Sequence, residues 1–403
     1  MAPRKVTPST PTKHRADEDH APRHRKRVVQ HLPFAKIASR PGQVFVFGTG
    51  DCAQLGLGEG TLLRKKPANV AALNEQHIVD IAAVNDQRTL GRSGDEYTPM
   101  PVEGLDDVKV VRVACSDSLT VALTDLGHVY TWGTFRSAEG ILGHSKETEV
   151  QDNPTRVAGL EDIVDIATGT DHVLALDNTG LIYSWGNGQQ MQLGRRIVAR
   201  RMLNGLTPES VGAKNMTKVG AGSYHSFAID KDGKASAWGL NTYGQCGLDD
   251  AKVENIPSVG PIKTLKDEHI VDIQGGEHHS IALTKDGRLF GFGRSDSHQL
   301  GLGYTELPGT EDTTSHKKAI RTPTLIPGLP PVDAISVGGN HTLALTREGD
   351  VYAWGFGEML ACGNGEEEDV EKPLKLTGQK IEGAKIVKVA AGGQHSVILV
   401  VHA

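Results

Sequence analysis

Apolar residues return at every second position in short runs along most of the chain, and glycines punctuate the runs at regular places. Val129-Tyr130-Thr131-Trp132-Gly133, Ile182-Tyr183-Ser184-Trp185-Gly186, Ala235-Ser236-Ala237-Trp238-Gly239 and Val351-Tyr352-Ala353-Trp354-Gly355 share one alternating phrase, which holds all 4 tryptophans of the 403 residues. Phe replaces Trp in V-F-V-F-G at 44–48 and L-F-G-F-G at 289–293. Period two with Val, Ile and aromatic enrichment predicts β-strands. A G-x-x-H turn leads into another apolar run at 169–172, 222–225, 276–279, 338–341 and 392–395, with a degenerate copy at Ser116–Leu119. Pairs such as Asp286-Gly287 and Glu348-Gly349 follow these runs and predict hairpin turns, because glycine reaches positive φ without a steric penalty. Each repeat is therefore one small antiparallel sheet. Residues 132, 185, 238 and 292 stand 53, 53 and 54 apart, a period that means a propeller or a solenoid.

A third phrase, an L-G or C-G turn, counts the repeats. Its glycines are Gly56, Gly91, Gly143, Gly194, Gly247, Gly301 and Gly363, one more than either of the other phrases supplies. The interval from Gly56 to Gly91 is 35 residues, against 51 to 54 for the next four and 62 for the last. In the short interval Ile81-Ala82-Ala83 runs straight into V-N-D-Q-R-T-L-G, so roughly 18 residues, about two strands, are missing at 83–84. The long interval carries a polar, Pro-rich insertion at 303–331 that predicts a surface loop. The last copy ends at Val400 without a tryptophan phrase, and the first begins at Val44 without a G-x-x-H run. Together they make one blade. The expected fold is an all-β, seven-bladed β-propeller, closed by pairing of N- and C-terminal strands and truncated in one blade, since closure removes exposed edges.

Composition narrows the function. Gly 48 and Pro 19 fit a turn-rich protein, and no apolar stretch approaches the ~20 residues of a membrane helix, so no membrane partner is expected. No signal peptide is visible, and the 4 cysteines lack C-x-x-C spacing, which suits a reducing compartment and argues against a zinc site. Residues 1–40 hold ten Lys or Arg and three acidic residues, a net of +7 within a total of −6. We expect 1–40 to be a disordered basic tail and 41–403 the propeller. Arg23, Arg25, Lys26 and Arg27 have the density of a nuclear-import signal or a DNA phosphate-binding arm; a solvated linker is the plainer alternative. DNA binding by such an arm weakens steeply with salt. Phosphorylation at Thr7-Pro8 or Thr10-Pro11 would lower its positive field.

The repeat separates scaffold from site. Residues identical in every copy serve structure, so the tryptophans predict blade packing, and the histidines at 172, 225, 279 and 341 predict turn-stapling hydrogen bonds rather than metal ligation or base catalysis. Just before that histidine the copies differ: Ser118, Asp171, Tyr224, His278, Asn340 and Gln394, and one step earlier Asp117 and Glu277 among others. Turns at equal phase share a rim, so an acidic, hydrogen-bonding surface is expected around the channel mouth, suited to a basic protein surface. No catalytic triad, phosphate-binding loop, metal cluster or cofactor signature is present in the spacing.

G-D-x-x-Q-L-G-L-G at 50–58, N-D-x-x-x-L-G-R at 85–92 and the G-x-x-H-[ST]-x-A-L runs resemble the regulator of chromosome condensation family across 41–403. T-F-R-S-A-E-G-I-L-G at 134–143 is similar to the wedge that members acting on the small GTPase Ran push against it, and L-G-R-R-I-V-A-R-R at 193–201 stands in the place of their nucleosome-binding loop. The resemblance implies GTPase contacts at Asp117, Asp171, His278, His395 and the wedge residues Arg136, Ser137, Ala138, Glu139 and Gly140. It implies chromatin contacts by the tail and by Arg200 and Arg201, on a loop expected at the face opposite the GTPase. It also implies guanine nucleotide exchange without covalent chemistry, a nuclear location, and Ran, histones, DNA and importin as partners, with no metal or cofactor. Leu119 stands where a repeat histidine is expected and Cys115 where glycine is, and the family places a contact histidine in the segment missing after Ala83. The alternatives are a propeller scaffold that exchanges nothing, a variant inactivated by its short blade, and an enzyme using the channel histidines.

Overall fold

The alternating runs do form strands, and each tryptophan phrase is the third strand of a sheet. In the computed structural model, which describes residues 31–35, 41–83, 90–248, 252–303 and 319–401, six four-stranded antiparallel sheets follow one another. Five of them span 110–156, 163–210, 216–261, 270–325 and 332–375. The sixth closes the ring: Gln43–Thr49 pairs with His395–Val401, with Phe45 opposite Ile398, flanked by Leu63–Asn69 and Lys385–Ala391. The fold is an all-β propeller.

Between Asn69 and Val110 the described residues contribute one 3-10 turn, Ala71–Leu73, and a single bridge of Gly42 to Ile78, but no ladder. Six sheets are thus seen where seven were expected. The physical reason is the short repeat: the chain supplies no G-x-x-H or W-G segment there to make the second and third strands. The extended stretch Ile78–Ala83 nevertheless lies beside the closing sheet. Neighbouring inner strands are joined by ion pairs, Arg112 to Asp165 and Lys218 to Asp272 (2.9 Å), and Lys388 reaches Asp80 in the same way.

Blade packing explains two repeated phrases. An imidazole lies on each G-x-x-H glycine so closely that a Cβ at Gly169 would stand 2.2 Å from His172 Cε1. Only glycine leaves that room. The ring of the next blade's tryptophan or phenylalanine lies on the L-G glycine, Trp238 on Gly194, Trp354 on Gly301 and Phe47 on Gly363, each glycine at positive φ. Burying such a ring removes on the order of 150–250 Å² from water. Trp238 and Trp354 are fully buried, and their indole N–H groups donate to the carbonyls of Gln192 (2.8 Å) and Gln299 (2.9 Å).

Residues 31–35, expected within the tail, lie along the propeller: the Leu32 N–H donates to the Asn178 carbonyl at 2.7 Å, and Leu32 and Ala35 pack on buried clusters. The cluster Arg23, Arg25, Lys26 and Arg27 lies outside the described residues, as does most of the 303–331 insertion.

Candidate interaction rim and wedge

Five of the six second strands start at their histidine and the sixth at Leu119, so the residues just before that phase are delivered to one end of the ring. Backbone bonds carry them round the channel: Thr170 N–H to Ser223 O (3.1 Å), Ser223 to Gly276 (2.9 Å), Glu277 to Gly339 (2.9 Å) and Gly339 to Gly392 (3.1 Å). A cavity of about 380 Å³ opens there, lined by Asp117, Thr170, Tyr224, Glu277, Asn340 and Gln394 among others. The unlike residues of the repeat therefore do share one rim.

Side chains tie the rim together. Asn340 Nδ2 donates to Glu277 Oε2 (3.2 Å), and Gln299 Nε2 donates to Asn340 Oδ1 (3.3 Å). His278 stands 3.7 Å from the Glu277 carboxylate and stacks, tilted, on Tyr243 with centroids 4.9 Å apart. Arg294 lies over the same Tyr243 ring, 5.6 Å from its centroid, and is held by Asp296 at 2.8 Å. Burial, with the charges of Glu277, Asp171 and Asp117 added, raises the Tyr224 phenol above its ordinary range, which keeps its O–H as a donor.

The wedge stands on this rim. Phe135–Ser137 and Gly140–Gly143 form a two-stranded hairpin inserted before Gln151–Arg156, anchored by the fully buried Phe135. Asp171, 8 % exposed, accepts the Arg136 backbone N–H at 2.7 Å. Asn187 Nδ2 donates to the Arg136 carbonyl (3.0 Å), and Gln189 Oε1 accepts the Ala138 N–H (3.1 Å). Ala138 and Glu139 are exposed at the tip, where a Cβ on Gly140 would meet nothing within 4 Å. Burial pushes the Asp171 carboxyl up to about 6, the Arg136 N–H opposes that rise, and the Asp117 charge adds to it.

Asp117, Asp171, His278 and residues 136–140 are thus brought to one end of the ring. His395 is not on the rim itself: it is 2 % exposed in the wall between blades, and its neighbour Gln394 is the rim residue. Arg200 and Arg201 are exposed in the 3-10 segment Ala199–Leu206. The expectation that this loop lies on the opposite face is wrong. The connection 187–208 leaves Gly186, which pairs with His172, so it departs from the end that carries the G-x-x-H turns, as the wedge does. Gln189 Nε2 reaches both Glu139 Oε2 (3.1 Å) in the wedge and Met202 Sδ (3.8 Å) in the loop.

Sequence reasoning missed Asn187 and Gln189, which bind the wedge from the next blade. Their signal was the unlike N-G-Q-Q stretch after Trp185, at a phase the repeat comparison had not inspected.

The buried histidines work as staples. His172 and His225 Nε2 lie 2.8 Å from Ser226 and Ser280 Oγ of the following blade, His341 lies 2.8 Å from Ser396, and His279 lies 3.4 Å from Thr342. Ser226 Oγ in turn donates to the Gln192 carbonyl (2.8 Å), so its lone pair accepts from an Nε2–H tautomer. Burial lowers His172, His279 and His341 to about 3 and His395 to about 4, which keeps them neutral.

Comparison with known proteins agrees with this geometry. A family profile for the RCC1-like domain matches residues 43–398. The chain is 40 % identical over 418 residues to Protein pim1 of Schizosaccharomyces pombe, covering 93 % of this chain and 76 % of that protein. It is 32 % identical to the guanine nucleotide exchange factor SRM1 of Saccharomyces cerevisiae, over 90 % and 88 % of the two chains. The crystal structure of Prp20p from the same yeast, described with its binding to Gsp1p and histones, superposes with a TM-score of 0.86 at 32 % identity, covering 92 % of this chain and 93 % of the other. Yeast RCC1 (Prp20) with Kap60 bound gives a TM-score of 0.88 at 31 % identity, over 98 % and 97 %. A profile match over most of the chain and relatives of this identity and coverage leave one conclusion: the chain belongs to the RCC1-like family of β-propellers.

Proposed function

We propose that the protein is a guanine nucleotide exchange factor that promotes GDP release from the small GTPase Ran on chromatin. The observation that carries this reading is the wedge locked onto an acidic rim through Asp171 and Arg136. A rigid hairpin with an exposed tip can be pressed into a partner, while Asp117, Asp171 and His278 beside it offer acceptors to a basic surface. His395 then contributes by holding Gln394 at the rim. Exchange of this kind needs no covalent step. A factor that binds the nucleotide-free GTPase more tightly than the nucleotide-bound form weakens nucleotide binding by the same factor. Direction follows from mass action, since the factor holds neither nucleotide.

The named relatives support the partner set. SRM1 is an exchange factor, Prp20p is described with Gsp1p and histones, and yeast RCC1 (Prp20) with Kap60. We assign a nuclear location, with the basic tail (residues 1–40) meeting importin and DNA and the propeller (41–403) meeting Ran and, through Arg200 and Arg201, histones. We also read the ring as having seven blade positions, six filled and one retaining only its first strand.

Release of a fluorescent GDP analogue from purified Ran tests the reading. The chain is expected to accelerate release catalytically, and Asp117→Ala, an exposed position, to reduce the acceleration about 5- to 150-fold with folding unchanged. A folded chain that accelerates nothing makes the protein a non-exchanging scaffold or an inactive variant.

A further inference from the structure

We propose that the gap between the closing sheet and the 110–156 sheet is an acceptor site for a β-hairpin of a partner polypeptide, which supplies the second and third strands of the incomplete blade. This goes beyond the exchange reading and does not depend on it.

A cavity of about 580 Å³ lies in the gap, with Gly56, Ala82, Val113, Thr120, His395 and Val397 in its walls. Three features of those walls specify the occupant. The first is an open strand edge. Ile78–Ala83 is held in the inner-strand place by the Lys388–Asp80 pair and the Gly42–Ile78 bridge, yet among the described residues none of 79–83 makes a backbone–backbone hydrogen bond. In the six complete blades this position pairs with the strand that starts at the histidine phase. An unpaired edge recruits a strand through its own N–H and C=O groups.

The second is His395. Its four counterparts each bond a Ser or Thr hydroxyl of the next blade, at 2.8 to 3.4 Å. The next blade has no such strand here. His395 is 2 % exposed and lines the cavity, and among the described residues no Ser or Thr hydroxyl bonds its Nε2 as one does in the four counterparts. An incoming Ser or Thr at this phase supplies the hydroxyl that completes the staple of the other blades. The third is Gly56. Five of the seven L-G glycines carry an aromatic ring of the following blade, and Gly143, which ends the wedge hairpin, instead faces the carbonyls of Ser145 and Thr148 and the side chain of Leu206. Gly56 carries the edge of Pro99 and a methyl of Val70, so its ring seat is unfilled by any aromatic.

The occupant is therefore a hairpin whose inner strand presents a hydroxyl to His395, with alternating apolar residues toward Val113 and Val397. Its second strand ends in Trp or Phe followed by glycine, over Gly56.

The chain's own sequence at 222–239, 18 residues with His225, Ser226 and Trp238 in this order, provides the probe. Titrated as a synthetic peptide into the whole protein, it is expected to bind saturably at one per chain and to raise Tm. Ser226→Val and Trp238→Ala in the peptide should each weaken binding about tenfold, equivalent to about 1.4 kcal/mol. Inserting the same 18 residues after Ala83 should raise Tm and abolish binding of the free peptide. The proposal is overturned by absent or non-saturable binding, by binding that ignores both substitutions, or by equal binding to the inserted chain. Self-association of the protein that the peptide competes away would make a second copy the occupant and overturn a separate partner. No GTPase is present in these measurements, so their failure leaves the exchange reading untouched.

Discussion

The Asp171 carboxylate accepts the backbone N–H of Arg136 at 2.7 Å, joining the acidic rim of one blade to the wedge of another. One group therefore both fixes the hairpin and supplies negative charge beside it. Because burial raises its pKa to about 6, it changes charge just below neutrality. We expect nucleotide-release acceleration to fall as pH drops through about 6. Asp171→Asn keeps an acceptor for the Arg136 N–H but not the charge, so it should give a lowered rate without that inflection. An identical pH profile in the Asn variant, with Ran's intrinsic release rate subtracted, would remove Asp171 from the mechanism.

The wedge tip separates exchange from scaffolding. Ala138 and Glu139 are exposed, and Gly140 has φ +118 with open space beside it, so the tip bears little of the fold. Replacing Ser137–Gly140 by a short glycine turn should leave Tm within about 1 °C, while exchange falls on the order of 10- to 100-fold. A scaffold that merely grips its partner through the rim would keep its binding and show no such loss.

Much of this was legible because the repeat writes the same physics several times. Gly169 and His172 could be read as a scaffold pair from their recurrence, and the imidazole lying on that glycine shows why. Asp171 and His278 stood out because they break the repeat at a phase the strand starts bring to one rim. The short interval between Gly56 and Gly91 was equally visible, but its outcome was not: sequence alone does not say that Ile78–Ala83 lies against the closing sheet, because that depends on Lys388, some 300 residues away, reaching Asp80. The placement of the Arg200–Arg201 loop failed for a related reason. A connection's end of the sheet follows from strand direction, and resemblance was used where counting strands from His172 to Gly186 would have sufficed.

Acid should weaken the ring through its buried histidines. His172, His279 and His341 fall from an ordinary 6.5 to about 3 on folding, and His395 to about 4. A histidine with a depressed folded pKa contributes stability that is present above 6.5 and lost progressively as pH falls toward the folded value. Asp171 acts in the opposite sense, its raised pKa favouring the fold below about 4 and losing that contribution as pH rises through 6. Four histidines outweigh one aspartate, so Tm should decline between pH 6.5 and 4. A flat Tm over that range, by calorimetry, would mean the imidazoles are solvated.

The staple itself can be tested with a substitution the protein already contains. Where other blades join a histidine to a hydroxyl, this chain has Leu119 facing the blade of Val173, both fully buried in one apolar cluster. Histidine and serine have thus been replaced as a pair. Changing His172 alone to Leu leaves Ser226 without its donor, and changing Ser226 alone to Val leaves the His172 Nε2–H without an acceptor; each should cost about 1–3 kcal/mol. The double variant His172→Leu with Ser226→Val is expected to recover most of that, because neither partner is left unsatisfied and Gln192 O keeps the Trp238 N–H. A coupling energy of about 1–3 kcal/mol in denaturant unfolding is the signature. Simple additivity of the two single costs would show that the staple stabilises through packing of the imidazole on Gly169 rather than through its hydrogen bond.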